Sequence, residues 1–473
     1  MVIVSSLLFL NTFNVFHKKQ SESKTLDAFI CISSEDEKYN VKGGIGTYLG
    51  ILVKEVKKLY PKAEVFWITK SPTDCEFSEK DELGIERHYL SDINPYKNRP
   101  FIEHVERDSN EDVSLLNQQV FHNKVNSKLG DILKKLKGKN VVIECGEWEG
   151  IAHQLYRTIN EQNILKATRI HTPLAVTMIS NKLPLSEVNK LQLLHEFEVL
   201  DHADCISSSS AYMKDQVIQY VLGKDLVNAD SIAVIPHPVD TKNFHSGMYK
   251  RSDSIDKVNA ILGEKFIQED SFNIYIIGSV ETRKGAELVV NAIAEVAEKI
   301  PQARFCFFGH HGGNKSKNLT ANTKLSPDVL YEAVPLKYRN QVAFAGYVDH
   351  SELPLIIESG DVFPIMYLGD NFPGSVAEIA LMEKPILALK RGGVTEMLSD
   401  ESNKMIAYNL GSSLETASSA LAAGLLDLYA NVSGRDEIGQ NLSALIRKKY
   451  APEKATSDLM DFYLDALSKK SKT

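Results

Sequence analysis

Short apolar runs rich in β-branched residues alternate with stretches of helical apolar spacing from Ala28 onward. This alternation is typical of parallel α/β sheets. A first series of predicted strands comprises Phe29–Ser33, Glu64–Thr69, Val141–Glu144, Thr168–His171, Asp204–Ser207 and Ile232–Ile235. A second series comprises Asn273–Ile277, Arg304–Phe308, Val342–Ala345, Val362–Met366, Pro385–Leu389 and Met405–Tyr408. Two such series predict an α/β protein with two doubly wound, Rossmann-like domains.

The boundary between the two series is marked by Pro236 and Pro238, which precede the polar stretch Thr241–Asp256. A chain of 473 residues also exceeds the length that one hydrophobic core usually organises. We therefore predict four segments: an N-terminal extension (1–24), an N-terminal domain (25–240), a C-terminal domain (241–450), and a C-terminal helix with a tail (451–473).

Both ends of the chain carry an apolar pattern of their own. Met1–Phe16 is mostly apolar, but Lys18 and Lys19 follow the run instead of preceding it, and the run is too short to span a bilayer comfortably. We interpret it as an extension that could touch a membrane. Pro452–Leu467 predicts an amphipathic helix, whose apolar positions include Leu459, Met460, Tyr463 and Leu467.

Composition narrows the class of protein. With 43% hydrophobic and 25% charged residues the chain is typical of globular proteins, and its net charge of −8 argues against a general nucleic-acid binder. The cysteines are scattered and form no C-x-x-C pair, which predicts reduced thiols in a cytoplasmic protein and no cysteine metal site. They are Cys31, Cys75, Cys145, Cys205 and Cys306.

A glycine-rich turn, Lys42–Tyr48, follows the first predicted strand. Gly43, Gly44 and Gly46 would let the backbone approach a ligand, and the next helix would direct its positive end at an anion. The turn matches neither a Walker loop nor a full G-x-G-x-x-G fingerprint. A simple tight turn between strand and helix explains it equally well.

The helix after this turn combines an apolar face with several lysines, among them Lys54, Lys57 and Lys58. A basic amphipathic helix can lie on an anionic membrane. A solvated face of an ordinary surface helix is the commoner explanation.

A second turn, Gly278–Gly285, leaves an apolar strand and enters a predicted helix at Ala286–Ile300. It places Arg283 and Lys284 where the helix dipole disfavours cations, so their position suggests a bound anion such as a leaving diphosphate. The alternative is a pair of solvent-facing charges in a loop.

A third element runs from Asp370 to Glu378 and contains Phe372 and the turn Pro373-Gly374-Ser375. A carboxylate and free backbone N–H groups at a helix start suit a bound phosphorylated sugar. Ser375-x-x-Glu378 fits a capping box equally well, and Asp370 could be a turn residue.

Taken together, these elements resemble those of GT-B-fold retaining glycosyltransferases of the family 4 group. Four features occur in the family's order: the Gly-Gly-x-Gly loop, the x-Arg-Lys-Gly turn, the acid-x7-Glu stretch and the Gly-Gly turn at Gly392 and Gly393. Val234–Asp240 resembles the family segment "VIPNGVD", and Ala203–Ser210 resembles its "ADxVIAxS" strand. The resemblance covers most of 28–467 and implies that the C-terminal helix crosses back to the N-terminal domain.

The resemblance implies a role for each candidate residue. His171, Arg283, Lys284 and Asp370 would form the catalytic set: His171 near the transferred sugar, the two cations on the diphosphate, and Asp370 on the donor sugar. Glu378 would bind the ribose hydroxyls. The remaining donor-binding positions would be Gly43, Gly44, Gly46, Tyr347, Val348, Phe372, Pro373, Gly374 and Ser375. His171 could equally be structural, and Trp148, a conceivable acceptor contact, could equally be packing.

The implied activity is transfer of a hexose from a nucleoside-diphosphate sugar to a glycan, lipid-linked or small-molecule acceptor. We expect cell-surface glycan synthesis in the cytoplasm, with peripheral contact at the inner membrane face, and neither a metal nor a cofactor nor a nucleic-acid partner. Ser279 stands where the family usually has Arg, so a non-catalytic partner subunit that binds sugar or protein is the alternative. An oxidoreductase would need a cleaner dinucleotide fingerprint.

Overall fold

The computed structural model describes residues 25–39, 44–93, 110–181, 183–223, 231–311 and 325–472. The predicted extension 1–24 and Gly43 lie outside the described residues.

The N-terminal half contains one eight-stranded sheet in the order β3-β4-β2-β1-β5-β6-β7-β8. All neighbours pair in parallel except β3 and β4, which are antiparallel. The strands are β1 (Ala28–Ile32), β2 (Glu64–Lys70), β3 (Phe77–Lys80), β4 (Ile85–Leu90), β5 (Val141–Gly146), β6 (Ile164–Ile170), β7 (Cys205–Ser208) and β8 (Ile232–Val234).

Strands β3 and β4 were not predicted. Their charged residues hide the apolar pattern, and the largest of these, Arg87, is fully buried on β4. Its guanidinium is held by Asp81 at 2.6 Å and Glu37 at 2.9 Å. A buried charge of this kind depends on partners that other parts of the chain supply, so local hydrophobicity does not reveal the strand.

The C-terminal half contains two three-stranded sheets, β11-β10-β9 and β12-β13-β14, which a single parallel bridge between Ile274 and Val362 connects. The strands are β9 (Phe272–Ile277), β10 (Ala303–Phe308), β11 (Val342–Gly346), β12 (Phe363–Ile365), β13 (Ile386–Ala388) and β14 (Tyr408–Asn409). The predicted strand Met405–Tyr408 is wrong except for its last residue, because Met405 pairs with Ser399 in an isolated bridge. The predicted domain boundary at 240/241 falls between the sheets and stays a prediction.

Helices of the described residues cover both faces of these sheets. They are α1 (Gly44–Leu59), α2 (Asn110–Lys135), α3 (His153–Thr158), α4 (Leu174–Asn181), α5 (Glu187–Asp201), α6 (Ala211–Val217), α7 (Arg251–Leu262), α8 (Ala286–Lys299), α9 (Pro327–Ala333), α10 (Leu353–Glu358), α11 (Gly374–Leu381), α12 (Gly392–Met397), α13 (Ala417–Ala430), α14 (Val432–Lys449) and α15 (Pro452–Lys470). Within this part of the chain no helix has the length and apolar character that crossing a membrane requires.

The lysines of α1 are bonded within the N-terminal half. Lys54 pairs with Glu37 at 2.6 Å, and Lys58 pairs with Glu55 in its own helix. Lys57 donates hydrogen bonds to the carbonyls of Pro61 and Ala63. These contacts favour the ordinary surface helix over a membrane-binding one.

Helix α15 packs on the N-terminal half, as the resemblance implied. Leu459, Met460 and Leu467 are buried in one cluster with the apolar face of α1 and with β1 and β2. The hydroxyl of Tyr463 donates to Glu144 Oε2 at 2.7 Å, and the hydroxyl of Tyr48 on α1 donates to Glu144 Oε1 at 2.8 Å. Burial raises the pKa of Glu144. This carboxyl therefore joins the end of the chain to the helix that borders the glycine-rich turn.

Replacing Tyr463 by Phe tests this junction. We expect Tyr463→Phe to lower the free energy of unfolding by about 1–3 kcal/mol, because it leaves one oxygen of a buried carboxyl without its donor. Urea unfolding would measure the change, with Tyr249→Phe, at an exposed tyrosine, as control. An equal, small effect of both substitutions would contradict the proposed importance of the junction.

Candidate active site

A cavity of about 500 Å³ opens between the two halves of the molecule. Its walls include the residues that follow β1, β5 and β6 on one side and β9 and β10 on the other. The carboxyl ends of parallel strands are the usual position for ligands in α/β sheets. The volume is in the range of small-molecule sites.

The cavity brings together most of the residues that the sequence singled out. Those that line it are Gly44, His171, Arg283, Lys284, Tyr347, Val348, Asp370, Phe372, Pro373, Gly374, Ser375 and Glu378. Trp148 and Ser279 also line it. Sequence reasoning did not single out Tyr48, and it did not assign a site role to His237 or His350, which are further lining residues.

Gly46 is the described candidate that does not line the cavity. Its N–H donates to Glu35 Oε2 at 3.2 Å, and a Cβ at this position would lie 2.7 Å from the carbonyl oxygen of Asp36. The glycine is needed for close packing of α1 against the turn after β1. The predicted contact of Gly46 with a donor stays a prediction.

Arg283 and Lys284 lie on a 3-10 turn, Thr282–Lys284, just before α8. Gly285 ends this turn with φ of +74°, and a Cβ there would lie 2.0 Å from the carbonyl oxygen of Met366. Only glycine combines this backbone conformation with so close an approach. The turn therefore packs closely against Met366, the residue after β12, and both cations line the cavity from this position.

The two cations are not solvent-facing, since their side chains are only 14% and 15% exposed. Both pair with the carboxylate of Asp370: Arg283 Nη1 lies 3.2 Å from Oδ2, and Lys284 Nζ contacts the same oxygen. Arg283 also pairs with Glu281 at 3.0 Å. The ammonium of Lys284 lies 4.0 Å from the ring centroid of Tyr367. Two carboxylates thus balance the two cations.

Asp370 is ionised at neutral pH. Its burial favours the neutral acid, but Lys284 and Arg283 outweigh burial and lower the pKa to about 2. A bound anion would be attracted by the two cations and repelled by this carboxylate. An anion bound in the cavity would therefore compete with Asp370 for the two cations.

Asn371 connects this charge cluster to the N-terminal half. Its side-chain amide donates to the carbonyls of Ile170 at 3.1 Å and His171 at 2.5 Å. Ser210 Oγ donates to Asn371 Oδ1 at 2.7 Å. Because Ile170 ends β6, the residue next to Asp370 fixes the distance between the two walls of the cavity.

His171 lies on the N-terminal wall. Its N–H donates to both oxygens of buried Glu147, at 3.0 and 2.8 Å, and its ring stacks on His237 with centroids 5.3 Å apart. Burial, assisted by Arg169, lowers the pKa of His171 to about 3, so the imidazole is neutral. A neutral imidazole can donate or accept one hydrogen bond to a sugar hydroxyl.

Glu378 is not part of a capping box. Helix α11 begins at Gly374, one residue before Ser375, and has no side-chain cap. Instead Glu378 Oε1 lies 2.7 Å from His350 Nε2. Burial opposes a charge on His350, but the hydrogen bond and the charge of Glu378 raise its pKa overall. The carboxylate is thus held at the cavity wall by a partner outside its own helix.

Two aromatic rings stand at the rim near the end of β11. The rings of Tyr347 and His310 stack with centroids 4.5 Å apart, and Tyr347 remains 49% exposed. Phe372, on the third element, instead packs edge-on against His237 and Tyr450. Tyr347 is therefore available for stacking with a planar ligand group, whereas Phe372 mainly supports the wall.

Residues 271–431 match the family model described as glycosyl transferases group 1. Two similar proteins are a subunit of the human phosphatidylinositol N-acetylglucosaminyltransferase, 23% identical over 49% of this chain and 41% of that protein, and mannosylfructose-phosphate synthase from Agrobacterium fabrum, 23% identical over 44% and 43%. The chain thus spans less than half the length of the curated relatives it matches.

Solved structures match almost the whole chain. Sucrose-phosphate synthase from Thermosynechococcus elongatus superposes with a TM-score of 0.68 at 18% identity, covering 94% of this chain and 100% of that one. Anabaena HepE in complex with UDP-glucose superposes with a TM-score of 0.61 at 14% identity, covering 92% and 98%. These matches confirm the GT-B fold. The match to the group 1 glycosyl transferases confirms the predicted resemblance to GT-B-fold glycosyltransferases, and the family 4 group is consistent with it.

The pairing of His350 with Glu378 predicts a pH-dependent stability. Because the pKa of His350 is raised on folding, the pair stabilises the protein fully below the ordinary histidine pKa of about 6.5, and the contribution is lost as pH rises through the raised value. We expect His350→Gln to lower the melting temperature more at pH 6 than at pH 9. The expected effect is below about 1 kcal/mol, since the side chain is partly exposed.

The matched control is His245→Gln, at an exposed histidine on the same half of the molecule. A loss of stability in His350→Gln that is constant across this pH range would show that the charged pair does not form.

Proposed function

We propose that this GT-B protein, whose residues 271–431 match the group 1 glycosyl transferases, transfers a hexose from a nucleoside-diphosphate sugar to an acceptor with retained anomeric configuration. The observation that carries the proposal is the convergence of Arg283, Lys284, Asp370 and Glu378 on one cavity between two Rossmann-like halves. The four residues come from two elements that are far apart in the sequence, and only the fold brings them together.

The donor is proposed to lie along the C-terminal wall. Tyr347 offers an exposed ring for the nucleobase, and Glu378 offers an oriented carboxylate for the ribose hydroxyls. Lys284 and Arg283 provide two cations for the diphosphate, next to the N-terminus of α11 at Gly374. The solved complex of HepE with UDP-glucose supports a nucleotide-sugar donor for this fold.

Departure of the diphosphate is the step that the two cations would assist. As the bond from the anomeric carbon to the phosphate oxygen breaks, negative charge grows on the phosphate, and preorganised cations in a water-poor site stabilise it. Asp370, released from part of its pairing, would accept hydrogen bonds from the donor sugar. The acceptor hydroxyl would attack from the face of the leaving phosphate, which could take its proton. This chemistry needs no metal.

His171 and its neighbours are proposed to position the transferred sugar. The neutral imidazole lies on the wall opposite the cations, with its backbone fixed by Glu147 and Asn371. Gly44 and Trp148 border the same side of the cavity, where we place the acceptor. The names of the relatives support both a lipid-linked and a small-molecule acceptor. We propose cytoplasmic glycan or glycoconjugate synthesis, with peripheral membrane contact if the acceptor is a lipid.

A non-catalytic partner subunit is the second candidate. Ser279 lines the cavity where the resembling family usually has Arg, so one phosphate-binding cation is missing. Arg283 is placed to compensate, because it points into the same cavity from the next turn. The two candidates differ in turnover: a partner subunit would bind a donor without releasing nucleoside diphosphate.

A donor screen tests the proposed function directly. The chain is heated with UDP, GDP, ADP and their common sugars, and the melting temperature identifies the nucleotide that stabilises it. Release of nucleoside diphosphate from the selected sugar nucleotide is then measured with candidate acceptors. Selective stabilisation with turnover supports the transferase, while stabilisation without turnover supports the partner subunit.

Lys284→Ala should abolish most of the turnover while the fold persists, because Asp370 keeps its ion pair with Arg283. We expect a loss of about 10²-fold or more in kcat, typical of removing one group that stabilises a developing anion. The measurement is nucleoside diphosphate release at saturating donor. The matched control is Lys257→Ala, which removes a lysine paired with Glu352 outside the cavity. Near-normal turnover of Lys284→Ala would refute the phosphate assignment.

Glu378→Gln should weaken nucleotide binding much more than it lowers thermal stability. The substitution removes a charged acceptor that we assign to the ribose hydroxyls, and we expect a loss of about 1.5–3 kcal/mol in binding. Titration calorimetry with the selected nucleoside diphosphate measures it, and the melting temperature without ligand is the control. Equal losses of both quantities would mean that Glu378 acts only as the partner of His350.

A further inference from the structure

Three buried histidines meet in the N-terminal half, apart from the donor cavity. His122 on α2, His153 on α3 and His195 on α5 are 0%, 4% and 8% exposed. One ring nitrogen of each lies within 4.8 Å of the others. These residues are separated by about thirty to forty positions in sequence, and no local motif indicated them.

Three ring nitrogens of the cluster have no hydrogen-bond partner among the described residues. They are both nitrogens of His122 and Nδ1 of His195, and all three atoms are buried. A buried polar atom without a partner is destabilising, and most such atoms in proteins are bound by something. The cluster therefore offers free lone pairs in a place where water is largely excluded.

His153 is oriented in the way expected of a metal ligand. Its Nδ1 lies 2.9 Å from the carbonyl oxygen of Gly150, and because a carbonyl can only accept, Nδ1 carries the proton. The Nε2 lone pair of a neutral His153 is then left for a second partner. A backbone carbonyl that fixes the tautomer is the usual outer partner of a metal-binding histidine.

The electrostatic environment keeps the three rings neutral. Burial lowers the pKa of His122 to about 3 and that of His195 to about 4, and each is further lowered by His153. Burial also lowers the pKa of His153. Metal ions bind the unprotonated ring, so no proton has to be displaced at neutral pH.

We propose that His122, His153 and His195 form a zinc site that joins helices α2, α3 and α5. Three neutral imidazoles are a ligand set that suits zinc, with water as a fourth ligand. Nitrogens bound to one tetrahedral zinc lie about 3.3 Å apart, within the 4.8 Å limit on the separations in this cluster. The rings of His153 and His195 are stacked, with centroids 3.8 Å apart and planes 12° from parallel. Metal binding must tilt these two rings relative to each other. The lone pairs of parallel rings point in parallel directions and do not converge on one ion.

The position of the cluster indicates a structural role. His195 packs directly under Gly150, where a Cβ would lie 2.3 Å from the side chain of His195. The next residue, Glu196, accepts hydrogen bonds from the N–H groups of Glu149 and Leu174. Leu174 lines the donor cavity, and so does Trp148, which precedes Glu149 in the sequence. The zinc would thus stabilise the helices that hold the acceptor-side wall of the cavity in place. It would take no part in the proposed transfer.

Metal analysis of the tag-free full chain tests the proposal. Protein purified with zinc in the growth medium should contain about one zinc ion per chain by mass spectrometry. A chelator should lower its melting temperature, and added zinc should restore it. Cobalt in place of zinc should give the visible absorption of a tetrahedral site. Substoichiometric zinc together with a melting temperature that neither chelator nor zinc changes would overturn the proposal.

Variants locate the site. His122→Gln and His195→Gln should each lose the zinc and the response to chelator. His88→Gln should keep both, since His88 is a buried histidine on β4 whose Nδ1 lies 2.7 Å from Ser78 Oγ, outside the cluster. If one variant fails to fold, the other variant and the cobalt spectrum of the wild-type chain show whether the histidine cluster holds the metal. Zinc retained by a folded His122→Gln or His195→Gln would place the metal elsewhere and contradict the assignment.

Discussion

The shared carboxylate of Asp370 is the interaction on which the proposed site depends. It neutralises Lys284 and Arg283, and it is kept ionised by them. The next residue, Asn371, bonds to the end of β6 in the other half of the molecule. One dipeptide therefore sets both the charge balance of the cavity and the separation of its walls. A donor that displaces Asp370 from the cations also acts on the contact between the two halves.

A second contact between the two halves lies at the C-terminal helix. Helix α15 follows the C-terminal half in sequence but packs on the N-terminal half, and Glu144 binds both Tyr463 of this helix and Tyr48 of α1. Tyr48 in turn lines the cavity. The crossing helix thus supports the cavity through a hydrogen-bonded carboxyl as well as through apolar contact. A hinge between the halves would have to move around this anchored side.

The sequence predicted what local pattern determines. Buried parallel strands are continuous apolar runs, so β1, β5 and β10 were found within one or two residues at each end. Glycine, proline and charge mark the three turns in the sequence, and residues of all three line the cavity. Long-range pairing was not predictable: Arg87 is buried on β4 only because Asp81 and Glu37 reach it. Likewise, the sequence left a ribose-binding carboxylate and a capping box as equal explanations of Glu378, because its partner His350 lies 28 residues away. Gly44 and Gly46 belong to the same sequence motif, yet Gly44 lines the cavity while Gly46 packs against Asp36, a difference that only the folded backbone shows.

The central claim is that Lys284, Arg283 and Glu378 hold one nucleoside diphosphate in the cavity between the halves. A crystal structure of the chain with the nucleoside diphosphate that stabilises it tests this most directly. We predict the diphosphate within hydrogen-bonding distance of Lys284 and Arg283, with Asp370 moved from at least one of them, and the ribose hydroxyls on Glu378. A nucleotide bound elsewhere, or one bound here with both Asp370 ion pairs intact and no contact to either cation, would contradict the account.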